Sequence, residues 1–214
     1  MAIENFTTYT EVDANGHLTV AAAKATALQV GRNEEVYLYK DFGANYFNAL
    51  NINFEIYVAS SSTPGAFSGM GISNGVSTFA SFASTDVAVM FYVSGTPTYN
   101  IILYRGAQVA QDAYVGSANT IYYCTLGRTA GSNTVTCKIY SDAARTNLLA
   151  TLSVSGYGTS TKWRYAYGFV NSHDQGSAYP FNGYTQNLDL APTAAGFYPV
   201  IGGGHIIDVV GGDE

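Results

Sequence analysis

The sequence has few charged residues, two cysteines and no long apolar run, and each shortage excludes a class of protein. Asp, Glu, Lys and Arg make up 11% of the 214 residues, against about 25% in typical soluble domains. Two cysteines are too few for a disulfide scaffold. No segment reaches the ~20 apolar residues that a membrane-spanning helix needs. We therefore predict no membrane span, and a surface made soluble by Ser, Thr, Asn, Gly and the tyrosine hydroxyls.

The charge that is present is mostly negative. The formal net charge is −6 and the sequence contains no run of Lys or Arg. Nucleic-acid binding depends on clusters of basic residues that neutralise phosphates, so this partner is excluded. The first residues, MAIENFTTYTEVDANG, contain no apolar segment typical of a secretory signal. We expect a protein of the extracellular space or of a virion surface, released by lysis or cut from a larger chain.

Short segments of alternating apolar and polar residues recur along the chain, and this pattern predicts β-strands. In residues 50–58, LNINFEIYV, every second residue from Leu50 is apolar. Turn residues such as Asn15-Gly16 separate the segments. Further strands are expected within residues 5–29 and at 35–41, 67–73, 87–93, 98–104, 107–114, 148–154, 162–170 and 181–190. We predict an all-β fold, a two-sheet antiparallel β-sandwich that forms one domain over residues 1–190.

Residues 162–180 combine an aromatic strand with a loop. In KWRYAYGFV, alternation places four aromatic residues on one face: Trp163, Tyr165, Tyr167 and Phe169. Residues 171–180, NSHDQGSAYP, are predicted to form a loop. The side chains of that loop are candidates for binding because loops carry function more often than strands do.

Residues 120–155 carry the clearest pairing signal. Pairing Leu126 with Val135 places Cys124 opposite Cys137, and one hairpin face is then wholly apolar. The opposite face is mostly polar and holds Tyr123, Thr125, Thr134, Thr136, Lys138 and Tyr140. Cross-strand Cβ atoms lie about 4.5–5.5 Å apart, which is slightly wide for a disulfide. We expect two free thiols that face the core.

This hairpin resembles a known structural family. An aromatic strand, Leu126-x-Arg128, a Gly/Ser/Asn turn, Thr134-Val135 and Tyr140-x-Asp142 follow one another. The order is similar to the central hairpin of laminin-G-like and concanavalin A-like jelly-roll modules. The resemblance implies two stacked antiparallel sheets, one of them concave. Lectins, glucanases, polysaccharide lyases and modules of bacterial and viral surface proteins share this fold, so the resemblance implies no single activity.

Tyrosine and amide side chains on strand faces are the candidate ligand-binding groups. Aromatic faces stack on the C–H patches of sugars, and amide or hydroxyl groups bond the sugar hydroxyls. We predict that the residues from β-segments 35–41 and 50–58 form one face of the concave sheet. The alternative is that these aromatic residues pack under loops or against a neighbouring subunit. The predicted ligand-binding residues are Tyr37, Tyr39, Asn53, Glu55, Tyr57, Asn171 and His173.

No cofactor is expected, and one metal remains as an alternative. The three histidines do not have the spacing of zinc ligands, and neither cysteine lies near one. The segment Asn171-x-His173-Asp174 could supply oxygen ligands to calcium, as rim loops do in several jelly-roll modules. A loop held by its own hydrogen bonds is the simpler interpretation.

Two functions from different classes fit these residues. The first is a non-catalytic structural or adhesion module, such as a decoration-type virion protein, with carbohydrate binding. The second is a polysaccharide-active enzyme, which leaves the enzyme question open. Glycosidases need paired carboxylates, and the Glu-x-Asp-x-x-Glu motif of the related glucanases is missing. The residue types used by the related lyases are present, without that family's motifs, at Tyr37, Tyr39, His173, Arg164 and Gln186.

The composition changes after residue 190. Residues 191–214 form a C-terminal extension in which glycines separate three apolar clusters. A strip of this kind is rarely left exposed in water. We expect it to pack on its own sandwich or on a neighbour, and favour self-association or contact with other structural subunits through an added strand.

Overall fold

A computed structural model describes residues 3–31, 34–59, 66–93, 98–106, 109–173 and 181–190, and of residues 66–68, 172–173 and 181 the backbone alone. Two short 3-10 helices, Phe6–Thr8 and Phe79–Ser81, accompany fourteen strands in these ranges. The strands are β1 (Thr10–Asp13), β2 (Leu18–Ala21), β3 (Lys24–Val30), β4 (Val36–Asp41), β5 (Leu50–Val58), β6 (Ala66–Ser73), β7 (Val87–Val93), β8 (Tyr99–Arg105), β9 (Ala110–Gly116), β10 (Ile121–Arg128), β11 (Thr134–Tyr140), β12 (Leu148–Ser155), β13 (Tyr165–His173) and β14 (Phe181–Asp189).

The strands form two antiparallel sheets of seven strands each. Sheet I has the order β12-β11-β10-β5-β14-β3-β2, and sheet II has the order β1-β4-β13-β6-β7-β8-β9. The predicted two-sheet antiparallel sandwich is confirmed. Strands β5 and β7 begin and end where the alternation of the sequence predicts, and the other strands differ by a few residues at their ends.

The main core lies between the sheets because each strand turns alternate apolar residues inward. Sheet I contributes Ile52, Phe54 and Ile56 from β5, each at most 2% exposed. Sheet II contributes Val89 and Phe91 from β7, both fully buried. Burial of each such side chain contributes about 1.5–3 kcal/mol. The same alternation leaves the opposite face of β5 available for other contacts.

The β10–β11 hairpin has the predicted faces but not the predicted register. Cys124 lies opposite Ile139 and Leu126 lies opposite Cys137, so the predicted pairing of the two cysteines is wrong by two residues. A two-residue shift keeps every side chain on its own face because the strand period is two. Both cysteines are therefore buried in the core as free thiols, as predicted.

The register shift originates in the hairpin turn. The Ser132 carbonyl accepts a hydrogen bond from Arg128 Nε at 2.9 Å. The Asn133 carbonyl accepts one from the Tyr157 amide at 3.1 Å. Both bonds lie outside the backbone ladder of β10 and β11. Arg128 belongs to β10 and bonds the turn through its side chain, whereas Tyr157 follows β12 and lies outside the hairpin. Pairing rules for the two strands alone include neither bond.

Strand β13 contains a β-bulge that changes which residues share a face. Its pairing with β4 shifts between Tyr167 and Phe169, on either side of Gly168. Tyr165 and Tyr167 consequently lie on the outer face of sheet II, whereas Phe169 packs in the core between the sheets. The single aromatic face predicted for residues 163–169 is therefore wrong, because an extra residue in one strand reverses the alternation.

A second apolar cluster covers part of the outer face of sheet II. Residues 74–86, here called the covering segment, place two phenylalanines against this face. The cluster consists of Phe79, Phe82, Ala88, Met90, Ile102, Tyr104, Tyr167 and Val170. The Tyr167 hydroxyl fixes the segment, since it accepts a hydrogen bond from the Ser77 amide at 2.9 Å and donates one to the Gly75 carbonyl at 3.0 Å. Strand β7 is thus buried on both faces, which explains its uninterrupted apolar sequence.

Asp112 joins the two sheets at one side of the sandwich. It belongs to β9, the last strand of sheet II, and its Oδ2 atom accepts a hydrogen bond from the amide of Ser153 at 2.9 Å. Ser153 belongs to β12, the last strand of sheet I. A side chain rather than a strand ladder therefore closes this seam.

Two parts of the predicted organisation lie at the limits of the described residues. Strand β13 continues to His173, so residues 171–173 are strand and not the predicted loop. Residues 174–180 and the predicted extension 191–214 lie outside the described residues, and the division into a domain and an extension stays a prediction. Among the helices of the described ranges, none has the length and apolar character to cross a membrane.

Candidate functional site

The predicted ligand-binding residues do not share one face. Tyr37 and Tyr39 of β4 lie on the outer face of sheet II, and Asn53, Glu55 and Tyr57 of β5 lie on the outer face of sheet I. The core of the sandwich separates the two groups. The expectation of a single face is wrong, because alternation within a strand shows which residues share a side but not to which sheet the strand belongs. Their role in binding stays a prediction.

On sheet I, hydrogen bonds hold the polar residues of the outer face in place. Both carboxylate oxygens of Glu55 accept hydrogen bonds, from Gln186 Nε2 at 2.6 Å and from Asn187 Nδ2 at 2.8 Å. The Thr125 hydroxyl donates to Asn53 Oδ1 at 2.7 Å. These bonds connect three adjacent strands, β14, β5 and β10, and fix the side chains before any ligand binds.

Tyr57 belongs to a stacked column on the same face. Its ring stacks on Tyr184, with centroids 4.7 Å apart and planes inclined by 11°. The ammonium of Lys24 lies 3.6 Å from the centroid of the Tyr184 ring, and the Tyr57 hydroxyl bonds Asn119 Oδ1 at 3.2 Å. The column uses ring faces that would otherwise stack on a sugar, so Tyr57 is not a free aromatic platform.

A groove of about 570 Å³ lies beside these residues, across β5, β10 and β11. Its floor is Gly127, which lacks a side chain between its cross-strand neighbours Asn51 and Thr136. Apolar atoms make up much of its lining; the polar groups are hydroxyls, one amide and two cationic side chains, and no carboxylate occurs among the described lining residues. The polar lining includes Asn51, Thr125, Ser132, Thr134, Thr136 and Tyr140. The exposed side chain of Lys138 lies on the same face, opposite Thr125.

Arg128 lies beneath the hairpin-turn end of the groove, on the inner face of sheet I. Its guanidinium is bonded to the carbonyl oxygens of Thr161 (2.6 Å), Gly158 (2.9 Å) and Ser132 (2.9 Å). It also lies over the indole of Trp163, 4.8 Å from the ring centroid. Arg128 is 4% exposed, and burial lowers its pKa, although a guanidinium stays protonated in proteins. This side chain fixes the loops that shape the groove.

The tyrosines of sheet II form a packed cluster. Tyr37 and Tyr39 lie with their ring centroids 6.0 Å from that of Tyr167, and Tyr165 adjoins Tyr39 at 6.1 Å. Tyr167 is fully buried, and burial raises its pKa to about 12. This arrangement matches the alternative in which aromatic residues pack under a loop. Tyr37 and Tyr39 remain half-buried at the margin of the covering segment.

Asn171 is bound within the fold rather than free for a ligand. Its Oδ1 atom accepts a hydrogen bond from the Val36 amide at 2.8 Å, and its Nδ2 atom donates to the Glu34 carbonyl at 2.8 Å. The side chain of His173 and the whole of Asp174 lie outside the described residues. Within the described ranges, no three His, Cys, Asp or Glu residues come together as a metal ion requires. Whether Asn171-x-His173-Asp174 holds calcium therefore stays a prediction.

The residues considered for a lyase are not brought together. Gln186 belongs to sheet I and bonds Glu55, whereas Tyr37 and Arg164 lie on the side of sheet II. Arg164 donates two hydrogen bonds to the carboxylate of Asp41, at 2.6 and 2.8 Å. These bonds lower the pKa of Asp41 to about 2. A uronate would have to compete with this carboxylate for the guanidinium.

The groove was not predicted from the sequence, because the polar face of β5 was considered without its neighbour β10. The signal that could have found it is the polar face of the hairpin, where Thr125, Thr136 and Lys138 alternate with core residues. Gly127 is the second signal, since a glycine among residues with side chains leaves a depression on a sheet. Their position next to Asn53 depended on the pairing of β10 with β5, two strands that are far apart in sequence.

The sequence itself matches no family model and no curated protein. Among solved structures, the chain is similar to the exoplasmic/lumenal domain of VIP36 in its Ca2+/Man2-bound form, with a TM-score of 0.58 and 6% identity over 90% of this chain and 89% of that chain. It is also similar to a functionally unknown protein from Saccharomyces cerevisiae, with a TM-score of 0.58 and 8% identity over 86% and 96% of the two chains. A third similar structure is a sialidase, with a TM-score of 0.58 and 10% identity. The match covers 90% of this chain but only 18% of the sialidase chain.

Identities of 6–10% show a common fold and no common activity. The two seven-stranded antiparallel sheets agree with the resemblance that the β10–β11 hairpin carries. The protein therefore has the concanavalin A-like jelly-roll fold that lectins share.

Proposed function

We propose that the protein is a non-catalytic adhesion module that binds carbohydrate in the groove of sheet I. The lining of the groove carries this proposal. Hydroxyl and amide groups can donate to and accept from sugar hydroxyls. Hydrolysis of a glycosidic bond needs two carboxylates, and none occurs among the described lining residues. The lectin fold, and the Ca2+/Man2-bound form of VIP36, support the proposal by analogy.

The groove is organised before a ligand arrives. Its strands are held by the antiparallel ladders of β5, β10 and β11, and its floor neighbour Thr125 is already bonded to Asn53. Side chains that are fixed in advance lose less conformational entropy on binding. This lower entropic cost matters most for a ligand that binds weakly, such as a sugar.

Filling the groove tests the proposal. In Gly127→Val, the new Cβ lies 3.3 Å from the Thr136 hydroxyl, which can rotate away, so the strand keeps its conformation. The variant should keep the circular dichroism spectrum and lose binding to a panel of soluble glycans. Thr19→Val, on the edge strand β2 and away from the groove, should bind like the wild type. A folded Gly127→Val that binds unchanged would overturn the site, and a wild type that binds no glycan would overturn the function.

Two further measurements test the absence of catalysis and of a metal requirement. Incubation with uronate polymers and glucans should release no unsaturated or reducing ends, and robust turnover would establish the enzyme alternative instead. Binding should persist in EDTA, because the described lining residues include no carboxylate. Loss of binding in EDTA would show that the carbohydrate is bound at a metal site outside the groove.

We also propose that the module is displayed at a virion or cell surface and assembles through residues 191–214. The support is the low charge of the chain and the apolar clusters of this segment. Deletion after Thr193 should leave a folded domain that no longer assembles. An unfolded truncation, or a full-length protein that is monomeric at high concentration, would show that the segment belongs to the core of its own domain.

A further inference from the structure

We infer that the ligand of the groove is an acidic polysaccharide, with a carboxylate or sulfate group bound at Lys138. The inference rests on the proposed function and adds the charge of the ligand to it. It depends on three observations: the free ammonium of Lys138, the buried charge of Arg128, and the absence of acidic groups among the described lining residues.

Lys138 offers a cation that no described carboxylate neutralises. The ion pairs of the described residues are His17–Glu34, Lys40–Glu4 and Arg164–Asp41. Lys138 is exposed on the outer face of sheet I, directly opposite Thr125. An ammonium has three donors and no acceptor, so this side chain is suited to an anionic group and not to a particular sugar hydroxyl.

Arg128 places a second positive charge beneath the hairpin-turn end of the groove, on the inner face of sheet I. Its partners are carbonyl oxygens and the Trp163 ring, and no carboxylate of the described residues lies within salt-bridge distance of it. Carbonyl dipoles satisfy the donors but leave the unit charge uncompensated. Since Arg128 is 4% exposed, little water screens this charge from the groove. It acts on a ligand through the field and not through a direct bond.

The charged residues of the groove lining are positive, whereas the net charge of the whole chain is negative. The chain has a net charge of −6, whereas the charged groups of the groove are two cations. Two acids of the same face, Glu55 and Asp189, lie outside the groove lining, and Glu55 is bound by Gln186 and Asn187. A neutral polymer would leave Lys138 unpaired, and an acidic polymer would pair it. Because Lys138 is exposed, this ion pair corresponds to a preference of up to about fivefold for each acidic group bound.

Matched polymers test the inference. Binding of the wild type is measured by calorimetry to polygalacturonate and its methyl-esterified form, and to dextran sulfate and dextran. At least one acidic polymer should bind about two- to fivefold more tightly than its neutral counterpart, and the preference should weaken as salt rises. The pair that shows the preference identifies carboxylate or sulfate as the recognised group. Lys138→Met should abolish the preference.

Lys24→Met is the matched control. Lys24 lies on the same outer face, but its ammonium lies over Tyr184 and it does not line the groove. This variant should keep the preference. A wild type that binds acidic and neutral polymers equally, or a Lys138→Met protein that keeps the preference, overturns the inference. The proposed function survives either result provided that Gly127→Val still abolishes binding. A folded wild type that binds none of these polymers and no glycan of the wider panel overturns both.

Discussion

Replacing Arg128 with methionine should remove a large part of the stability of the fold. The side chain is 4% exposed, and it donates to three loop carbonyls at 2.6–2.9 Å. Methionine keeps the length and the apolar stem of the side chain but cannot donate. The carbonyls of Thr161, Gly158 and Ser132 then lose a partner at once, in a region to which water has little access.

The size of the effect follows from the number of lost bonds. A buried polar group that is left unsatisfied costs about 1–3 kcal/mol. The Gly158 carbonyl keeps the hydrogen bond from the Thr161 amide at 2.9 Å. The two carbonyls of Thr161 and Ser132 give an upper range of about 2–6 kcal/mol, and part is recovered because the charged guanidinium is no longer desolvated. We expect Arg128→Met to lower the free energy of unfolding by about 2–4 kcal/mol. That is a large share of the 5–15 kcal/mol typical of a domain.

Urea unfolding, followed by the fluorescence of Trp163, measures this change directly. Arg128→Lys keeps the charge but not the fork of donors, so its loss should lie between those of the wild type and the methionine variant. Arg145→Met is the control, because Arg145 is half-exposed and its bonds to Ala143 and Phe54 carbonyls are long, at 3.3 and 3.5 Å. It should lose less stability than Arg128→Met. A loss of less than about 1 kcal/mol in Arg128→Met would refute the bonding argument.

Three further predictions concern buried groups and pH. Gly168→Ala should destabilise the fold strongly, since the added Cβ would lie 2.7 Å from the Phe6 ring; a melting temperature equal to the wild type's would show that the close contact between Gly168 and Phe6 is not needed. Cys124 and Cys137 are fully buried, and burial raises the pKa of the Cys124 thiol, so a polar maleimide should label them only after denaturation; rapid native labelling would contradict the inward facing. The pKa of Asp41 is lowered to about 2 in the folded state, from about 4 when unfolded. Its contribution to stability is therefore complete above pH 4 and lost as the pH falls towards 2, and Asp41→Asn should unfold with a weaker pH dependence over that range than the wild type.

The strands could be predicted from the sequence because alternation is a local property. Residues 50–58 show their two faces without reference to any partner, and the uninterrupted apolar run 87–93 predicts a strand that is covered on both faces. The register of β10 and β11 could not be predicted, because Ser132 bonds the side chain of Arg128 and Asn133 bonds Tyr157, which lies outside the hairpin. The bulge in β13 was also hidden, since Gly168 ends the alternation without a signal of its own.

For the candidate site too, local features could be predicted from the sequence and long-range strand pairing could not. The polar character of Asn53, Glu55 and Thr125 is visible in the sequence. Whether they meet depends on sheet order, and sheet order joins strands that are far apart in the chain. Tyr37 and Tyr57 were placed together for this reason and lie on opposite sides of the molecule. A prediction of the site needs the pairing of β10 with β5, which no local pattern contains.

The hydrogen bond between Asp112 and Ser153 bears on how copies of this protein meet at high concentration. An outermost strand with free amides is a template for intermolecular pairing, the first step towards amyloid-like fibres. A chain with 11% charged residues has little electrostatic repulsion to prevent that step. The carboxylate of Asp112 occupies the amide of Ser153, and so works as a gatekeeper on β12.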